Sequence, residues 1–486
     1  VIRPNILWIC ADQQRSDTIG ALGNAHIATP TLDRLCARGT AFTRAYAQSP
    51  ICTPSRASML TGRYPASHTV YRNGNAFFPA HERLVTRILA DHGYDCGLIG
   101  KLHLSAAKYH EQRTDDGYRV FLWNHHPTPD AARGDAYEHW LRHEKRVDPQ
   151  ALYRDKGAFV GAGVPAEYHQ STWCAEMAIR FITDRRDGPW CLSVNPFDPH
   201  APFDAPPEAL ARVKPETLPL PLWRASDAER WKDFRTVDQQ QVVPLDPTIR
   251  RPPAPPPTGA RDHDKVASHV PEDYDALAVK ANYYAMIQHL DAQVGRILAA
   301  LEASGQAGNT IVLYHADHGE MLGDHGLVLK GCRFFEGLVH VPMVWSWPGG
   351  FAEGQRASGL TELVDIAPTL LEAAGIAPPW SMQGCSLLPV LQGRADPAAG
   401  KARVVSEFRD SIGGHAGTHG SMVFDGRWKS VLYHGHAKGE IFDHAADPGE
   451  FDNLWDDVAL RAARLQAHCD AMAATVSGGP PRSANY

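Results

Sequence analysis

The sequence predicts an α/β fold with a mostly parallel sheet flanked by helices, and two observations carry that reading. Apolar runs without polar alternation recur at 5–11, 94–100, 190–196 and 310–314, as expected of strands covered on both faces. Two of these runs end in chemistry-bearing pairs, Asp12-Gln13 and, past His315-Ala316, Asp317-His318. Ligands of such sheets bind beyond the carboxyl ends of the strands.

Taken in order, the 5–11 strand is followed by a helix beginning near Thr29-Pro30 with Gly39 behind it, then a short strand over 42–48. The segment 50–63 reads as the opening of a helix, with Thr53 as cap, Pro54 in the first turn and Gly62 as stop. Four-residue spacing brings Cys52 and Arg56 to one face. Free N–H groups at such a helix start suit an oxyanion, and an arginine beside a thiol lowers its pKa. On spacing alone, C-x-x-x-R more often means a buried cysteine with a surface arginine. Residues 69–75, including Asn73, form a turn-rich loop. A helix over 84–92 and the 94–100 strand lead to Lys101 and His103, which strand alternation places on one side.

Residues 105–165 have weak periodicity and read as insertion loops. An amphipathic helix over 167–184 offers Trp173, Met177, Ile179, Phe181 and Ile182 to the core. After the 190–196 strand, His200 stands between prolines in an extended, rigid loop. The proline-dense stretch 218–269 reads as a surface excursion. A long helix over 274–304 then precedes the 310–314 strand. Further strands are expected at 403–408, 421–424 and 428–433.

The 486 residues are 43% hydrophobic and 21% charged, an ordinary globular composition that allows two or three domains or one large domain with an appendage. A net charge of −7 provides no global basic field for nucleic acid, so an anionic substrate would need local Arg and Lys. No apolar run approaches the roughly 20 residues of a membrane span. Nine scattered cysteines favour a reducing compartment and argue against a thiolate zinc cluster. The expected location is therefore cytoplasmic, or periplasmic or secreted if a leader has been removed.

Cys52-x-Pro54-Ser55-Arg56, continued by Ala-Ser-Met-Leu-Thr-Gly-Arg-Tyr-Pro, resembles the signature of the type I sulfatases in the alkaline phosphatase superfamily. Gly-Lys-x-His-Leu at 100–104, Pro-His-x-Pro at 199–202 and Asp-x-Gly-Glu at 317–320 resemble further motifs of that family. The likeness runs from residue 5 to about 455. It implies a large mixed, mostly parallel sheet in a catalytic domain over 1–375, with insertions near 105–165 and 205–270. It also implies a C-terminal subdomain over 376–486 with a small antiparallel sheet and a terminal helix.

By the same resemblance, Cys52 is oxidised to formylglycine by a maturation enzyme, and the aldehyde hydrate is the nucleophile. Asp12, Gln13, Asp317 and His318 would hold a divalent metal together with residue 52. Arg56 and Lys101 would stabilise the nucleophile's oxygens, and Lys101 and Lys330 would bind sulfate. His200 would protonate the leaving group and His103 accept the proton of the second step. Asn73 is a further substrate-binding candidate, whereas Asp324 and His325 are expected to stabilise the loop.

Most sulfatases carry Asp and Asn where Gln13 and His318 stand. An imidazole ligand moves preference from calcium towards manganese, leaving Ca2+ or Mn2+ as the expected ion. The Asp-Gln and Asp-His pairs are similar to those of phosphonate monoester hydrolases and choline sulfatases. Sulfate monoester hydrolysis is thus the expected activity, with a small molecule or saccharide ester as substrate. Phosphonate monoester or phosphodiester hydrolysis is the alternative, and a non-catalytic oxyanion-binding relative a third reading. A homo-oligomer is left open.

Overall fold

In the computed structural model the described residues are 3–107, 110–127, 134–154, 156, 159–237, 243–249, 270, 274–331, 333–411 and 417–476. The proline run near 250–257 lies outside them. The main sheet is built from β1 (Asn5–Ala11), β2 (Thr40–Tyr46), β3 (Asp95–Gly100), β4 (Val120–Trp123), β5 (Trp190–Asn195), β6 (Thr310–Ala316), β7 (His340–Ser346), β8 (Gln355–Ala357) and β9 (Thr361–Glu362). Its order is β4-β3-β5-β1-β6-β7-β2-β8, with β9 also on β2. Only β7 runs against its neighbours β6 and β2; the other pairs are parallel.

Both faces of the sheet are covered. On β3, Cys96 Sγ reaches back to the carbonyl of Thr86 in the helix Val85–Asp91. Its neighbour Gly97 lies so close to Phe181, in the helix Gln170–Thr183, that a Cβ would come within 2.6 Å of the ring. Successive residues of a strand face opposite sides, so these helices belong to opposite layers. The long helix Ala276–Ala303 packs on Gln170–Thr183. The turn Leu363–Asp365 and the helix Ile366–Ala373 pack on the helix carrying Cys52.

Two expectations need correction. The 105–165 segment is not only loops: it supplies the edge strand β4 and the helix Ala136–His143. Their short apolar stretches sit among His, Arg and Asp, which hid the periodicity. The 218–269 stretch contains the helix Ala225–Phe234. Phe234 is fully buried with Tyr433 and Phe442 of the second sheet, so this helix packs into a core.

That second sheet is antiparallel, ordered β10 (Val404–Arg409), β11 (His419–Phe424), β12 (Trp428–Tyr433) and β13 (Glu440–Asp443), and is followed by the helix Val458–Val476. No helix among the described residues is long and apolar enough to cross a membrane.

His315, inside β6, is fully buried. Its Nδ1 faces the carbonyl of Ala316 at 3.0 Å, which can only accept, while Nε2 accepts the Trp8 indole N–H at 2.6 Å. Both nitrogens are thus used by the neutral ring, and burial pushes its pKa down to about 4. The folded state refuses a proton that the unfolded chain takes near pH 6.5, so this histidine's contribution shrinks as pH falls from 6.5 towards 4. His315→Gln cannot titrate. Its stability deficit relative to wild type should be largest at pH 7–8 and narrow by up to about 3 kcal/mol towards pH 4 in chemical denaturation; a deficit independent of pH would refute this.

Candidate active site

The helix Cys52–Thr61 begins earlier than its sequence predicts. Ile51 is the N-cap, without a side-chain bond, and Cys52 is the first helical residue. Thr53 is therefore inside the helix, where its hydroxyl accepts from Gly74 N at 2.8 Å and lies 3.4 Å from Asn73 Oδ1. Pro54 still falls in the first turn, where its missing N–H has no intrahelical partner to lose. Gly62 ends the helix at φ 67°, as expected. All ten helical residues are buried.

Arg56 is not a surface residue: it is 0% exposed. A buried guanidinium persists only when paired. Its Nε donates to Asp317 Oδ2 at 2.8 Å and one Nη to the Lys101 carbonyl at 3.1 Å. The other Nη lies 3.5 Å from Asp12 Oδ2 and makes no hydrogen bond among the described residues. A buried donor is thus left pointing into the cluster.

The strand ends close around this helix start. Asp12 follows β1, Asp317 and His318 follow β6, and Lys101 follows β3. Lys101 Nζ is 2.5 Å from Asp12 Oδ2 and 3.8 Å from Cys52 Sγ. Its approach depends on Gly100, whose φ of 101° and absent Cβ admit the Asn195 carbonyl; a Cβ would lie 2.1 Å from that oxygen. Asp317 Oδ1 accepts the N–H groups of Gln13 and His318, each at 3.0 Å. His318 Nδ1 faces the Gly319 carbonyl at 2.9 Å, so Nδ1 carries a proton and Nε2, 3.0 Å from Cys52 Sγ, points into the site. Gln13 sits at φ 68°. Its amide N–H2 is held by Glu320, which turns Oε1 towards Lys330 Nζ at 3.1 Å. Lys330 also contacts His200 Nε2, while His200 Nδ1 donates to the Ala201 carbonyl at 2.6 Å.

The electrostatics follow from these distances. Burial raises the Asp12 pKa, but Lys101, His200, Arg56 and Lys330 outweigh it and hold the carboxyl well below its usual range. Burial and Asp12 push the Cys52 thiol up, yet Lys101, Lys330 and His318 bring it below its ordinary value. Burial and the neighbouring Lys330 depress His200 strongly; burial, His125 and Lys101 do the same to His103. For His318, burial is overcome by Asp317 and Cys52, and its affinity for positive charge rises.

The donor set fits a divalent ion. Ligand atoms of Asp12, Cys52, Asp317 and His318 all lie within 4.8 Å of one another, and the Gln13 oxygen faces Lys330, whose ammonium lies beside Cys52. Two carboxylates face the cations Arg56, Lys101 and Lys330, so an ion there would leave a strongly positive pocket for an anion. A second acidic group, Glu336, His444 and Glu450, already has its cation: Lys429 Nζ lies 2.7 and 2.6 Å from the two carboxylates.

Of the residues expected here from sequence, Asp12, Gln13, Cys52, Arg56, Lys101, His200, Asp317, His318 and Lys330 are linked by direct contacts. His103 joins them next to Lys101, but not through strand alternation: β3 ends at Gly100 and His103 has φ 57°. Asn73 is an exposed rim residue near Thr53. Asp324 binds Arg15 and Leu222 N, each at 2.8 Å, and His325 binds Asp227 at 2.9 Å while stacking on Phe335; both hold loops together. Missing from the sequence-based set are Glu320, Glu111 and Asn195, whose side chains orient Gln13, the His103 loop and the Lys101 carbonyl. Glu320 stands in the Asp-x-Gly-Glu motif and could have been found; Glu111 and Asn195 carry no motif.

A family model described as Sulfatase matches residues 4–376, and one described as N-sulphoglucosamine sulphohydrolase, C-terminal, matches 323–473. The chain is 31% identical to an arylsulfatase of Clostridium perfringens over 478 residues, covering 93% of this chain and 90% of the relative. It is 28% identical to a choline-sulfatase of Rhizobium meliloti, over 93% and 82% of the two chains. Among solved structures, phosphonate monoester hydrolase of Agrobacterium radiobacter superposes with a TM-score of 0.78 at 27% identity, over 98% and 96% of the two chains.

Asp317→Asn should lower divalent-ion affinity at least about tenfold, read as ion per chain by elemental analysis after dialysis against Mn2+ or Ca2+. Unaltered ion content would remove Asp317 from the ligand set.

Proposed function

The chain belongs to the sulfatase family, and from that premise we propose that it hydrolyses sulfate monoesters, with Cys52 oxidised to formylglycine as nucleophile. One observation carries the reading. Cys52 stands at a buried helix start, its Sγ 3.0 Å from His318 Nε2 and 3.7 Å from Asp12 Oδ1, with Lys101 and Arg56 behind it. Reactive and cation-binding groups thus converge on one side chain.

A sulfate monoester is inert in water, so three needs must be met: a strong nucleophile, neutralised equatorial oxygens and a proton for the departing oxygen. A divalent ion, Ca2+ or Mn2+, at Asp12, Gln13, Asp317 and His318 would supply Lewis acidity and positive charge beside residue 52. Lys101 and Lys330 bind the sulfate oxygens, and Arg56 steadies the nucleophile through Asp317 and Asp12. One hydroxyl of the formylglycine hydrate, having lost its proton to water under the pull of the surrounding cations, attacks sulfur, and the S–O bond to the alcohol breaks. The leaving-group proton comes through the His200–Lys330 pair, in which Lys330 Nζ holds a proton against His200 Nε2. His103 then takes the proton of the second hydroxyl, sulfate leaves, the aldehyde returns and water adds to it to restore the hydrate. A thiol or serine at 52 lacks that second hydroxyl, which is why the modification and its maturation enzyme belong to the proposal.

Phosphonate monoester or phosphodiester hydrolysis is the second reading, favoured by the Gln13 and His318 pair and the fold shared with a phosphonate monoester hydrolase. Both reactions place a tetrahedral anion on the same cations. Parallel assays on 4-nitrophenyl sulfate and 4-nitrophenyl phenylphosphonate separate them: the proposal expects the higher kcat/KM on the sulfate, and the reverse order establishes the alternative.

Protein made with a formylglycine-generating enzyme should be lighter by about 18 Da than the unmodified chain. Cys52→Ala should lose roughly 10⁴-fold or more in kcat on 4-nitrophenyl sulfate. Normal turnover by that variant would refute the nucleophile.

A further inference from the structure

Beside His103, the ends of β3 and β4 carry polar side chains for which the mechanism above has no use. Glu111 is 1% exposed, and its carboxylate accepts the N–H groups of His103 at 2.8 Å, Leu104 at 2.5 Å and Ser105 at 3.3 Å. The same carboxylate accepts the indole N–H of Trp123, the last residue of β4, at 2.9 Å. One side chain therefore ties the loop after β3 to the end of β4. Asn124 completes the frame. Its N–H bonds the Gly100 carbonyl at 3.1 Å, its amide donates to Asp135 and the His126 carbonyl, each at 2.8 Å, and its oxygen accepts from Gln170. Gln170 in turn accepts the N–H of Phe197 at 3.1 Å, on the strand end leading to His200.

Within this frame the rings of His103 and His125 meet edge to face, 4.5 Å between centroids. Three atoms here are buried and without a hydrogen-bond partner among the described residues: Nδ1 of His103, Nδ1 of His125 and Oγ of Ser105. Leaving one such group unmade costs about 1–3 kcal/mol, and native interiors tolerate few. Three of them in a rigid frame, one strand outward from Lys101 at the carboxyl end of the sheet, need an outside partner.

We propose that His125, Ser105 and Nδ1 of His103 form the subsite for the alcohol portion of the ester, and that this portion carries hydroxyl groups. The inference rests on the ester-hydrolase reading above. A hydroxyl both donates and accepts, so it can pair with an imidazole nitrogen and with a serine hydroxyl at once. An aryl group would bury these atoms unpaired, and sites built to bond a hydroxyl reject analogues lacking it. A quaternary ammonium fits no better: Lys101 is adjacent, and the Glu111 oxygens already accept four N–H bonds.

The test compares kcat/KM on glucose 6-sulfate and 4-nitrophenyl sulfate for wild type, His125→Phe and His125→Gln, each matured to the same formylglycine content. The sugar-to-aryl ratio should fall at least about tenfold in H125F, while H125Q, which keeps a donor and an acceptor, should recover most of it. An unchanged ratio in H125F, equal losses in H125F and H125Q, or a wild type that cleaves the aryl ester but not the sugar ester would overturn the proposal. Should H125F not fold, the H125Q ratio and competition by glucose against 4-nitrophenyl sulfate in the wild type decide, and no competition overturns it. Wild type inactive on both sulfates but active on phenylphosphonates would count against the sulfate reading alone; the same ratio read on glucosyl and 4-nitrophenyl phenylphosphonates then judges the subsite.

Discussion

A buried guanidinium beside two buried carboxylates is the constraint from which the rest of this molecule follows. Arg56, Asp12 and Asp317 are all 0% exposed, and none can be removed from water without the others. Meeting that condition requires the helix start at Cys52 to sit against the carboxyl ends of β1 and β6. Lys101, which follows β3, is drawn in as well, because it pairs with the Asp12 oxygen that Arg56 approaches without a hydrogen bond. The parallel order of the central strands puts all three strand ends on one edge, so the fold delivers the charges without long excursions of the chain.

The consequence for chemistry is a pocket that is positive yet not neutralised internally. Arg56, Lys101 and Lys330 exceed the two aspartates by one charge, and an Arg56 Nη still lacks a hydrogen bond. Such an arrangement is unfavourable empty and favourable with an anion, and oxyanion transfer needs that difference. Around it the backbone adopts φ values near +60° at Gln13, His103 and Leu329. Left-handed backbone at non-glycine positions costs about 1–3 kcal/mol each. It survives here because Glu320 and Glu111 hold these segments by several hydrogen bonds apiece.

The two sheets divide the work. The large sheet presents the reactive residues. The antiparallel sheet, reached through Phe234, Phe334 and Phe335 on one core, backs the loop that carries Lys330. Ser411, just past β10, also accepts the Asn73 N–H through its carbonyl at 2.6 Å, so the second sheet borders the rim on the Cys52 side. Both parts of the chain therefore border the cluster around Cys52.

Sequence by itself determined the strands β1, β3, β5 and β6, because strands buried on both faces are mostly apolar without the alternation of a half-exposed strand. It also pointed to residues that the fold brings together at the strand ends, since Cys52, Lys101 and Asp317 stand in motifs whose spacing is local. It did not reveal β7, β8 and β9, nor β4 amid its charged surroundings. Those strands are short or polar at their ends, and only pairing with neighbours distant in the chain makes them strands. Nor did it reveal Glu111, Asn195 or His125, which act through partners that sequence separation conceals. Their positions are decided by hydrogen bonds closed in three dimensions, and a linear pattern carries no record of which buried donor meets which acceptor.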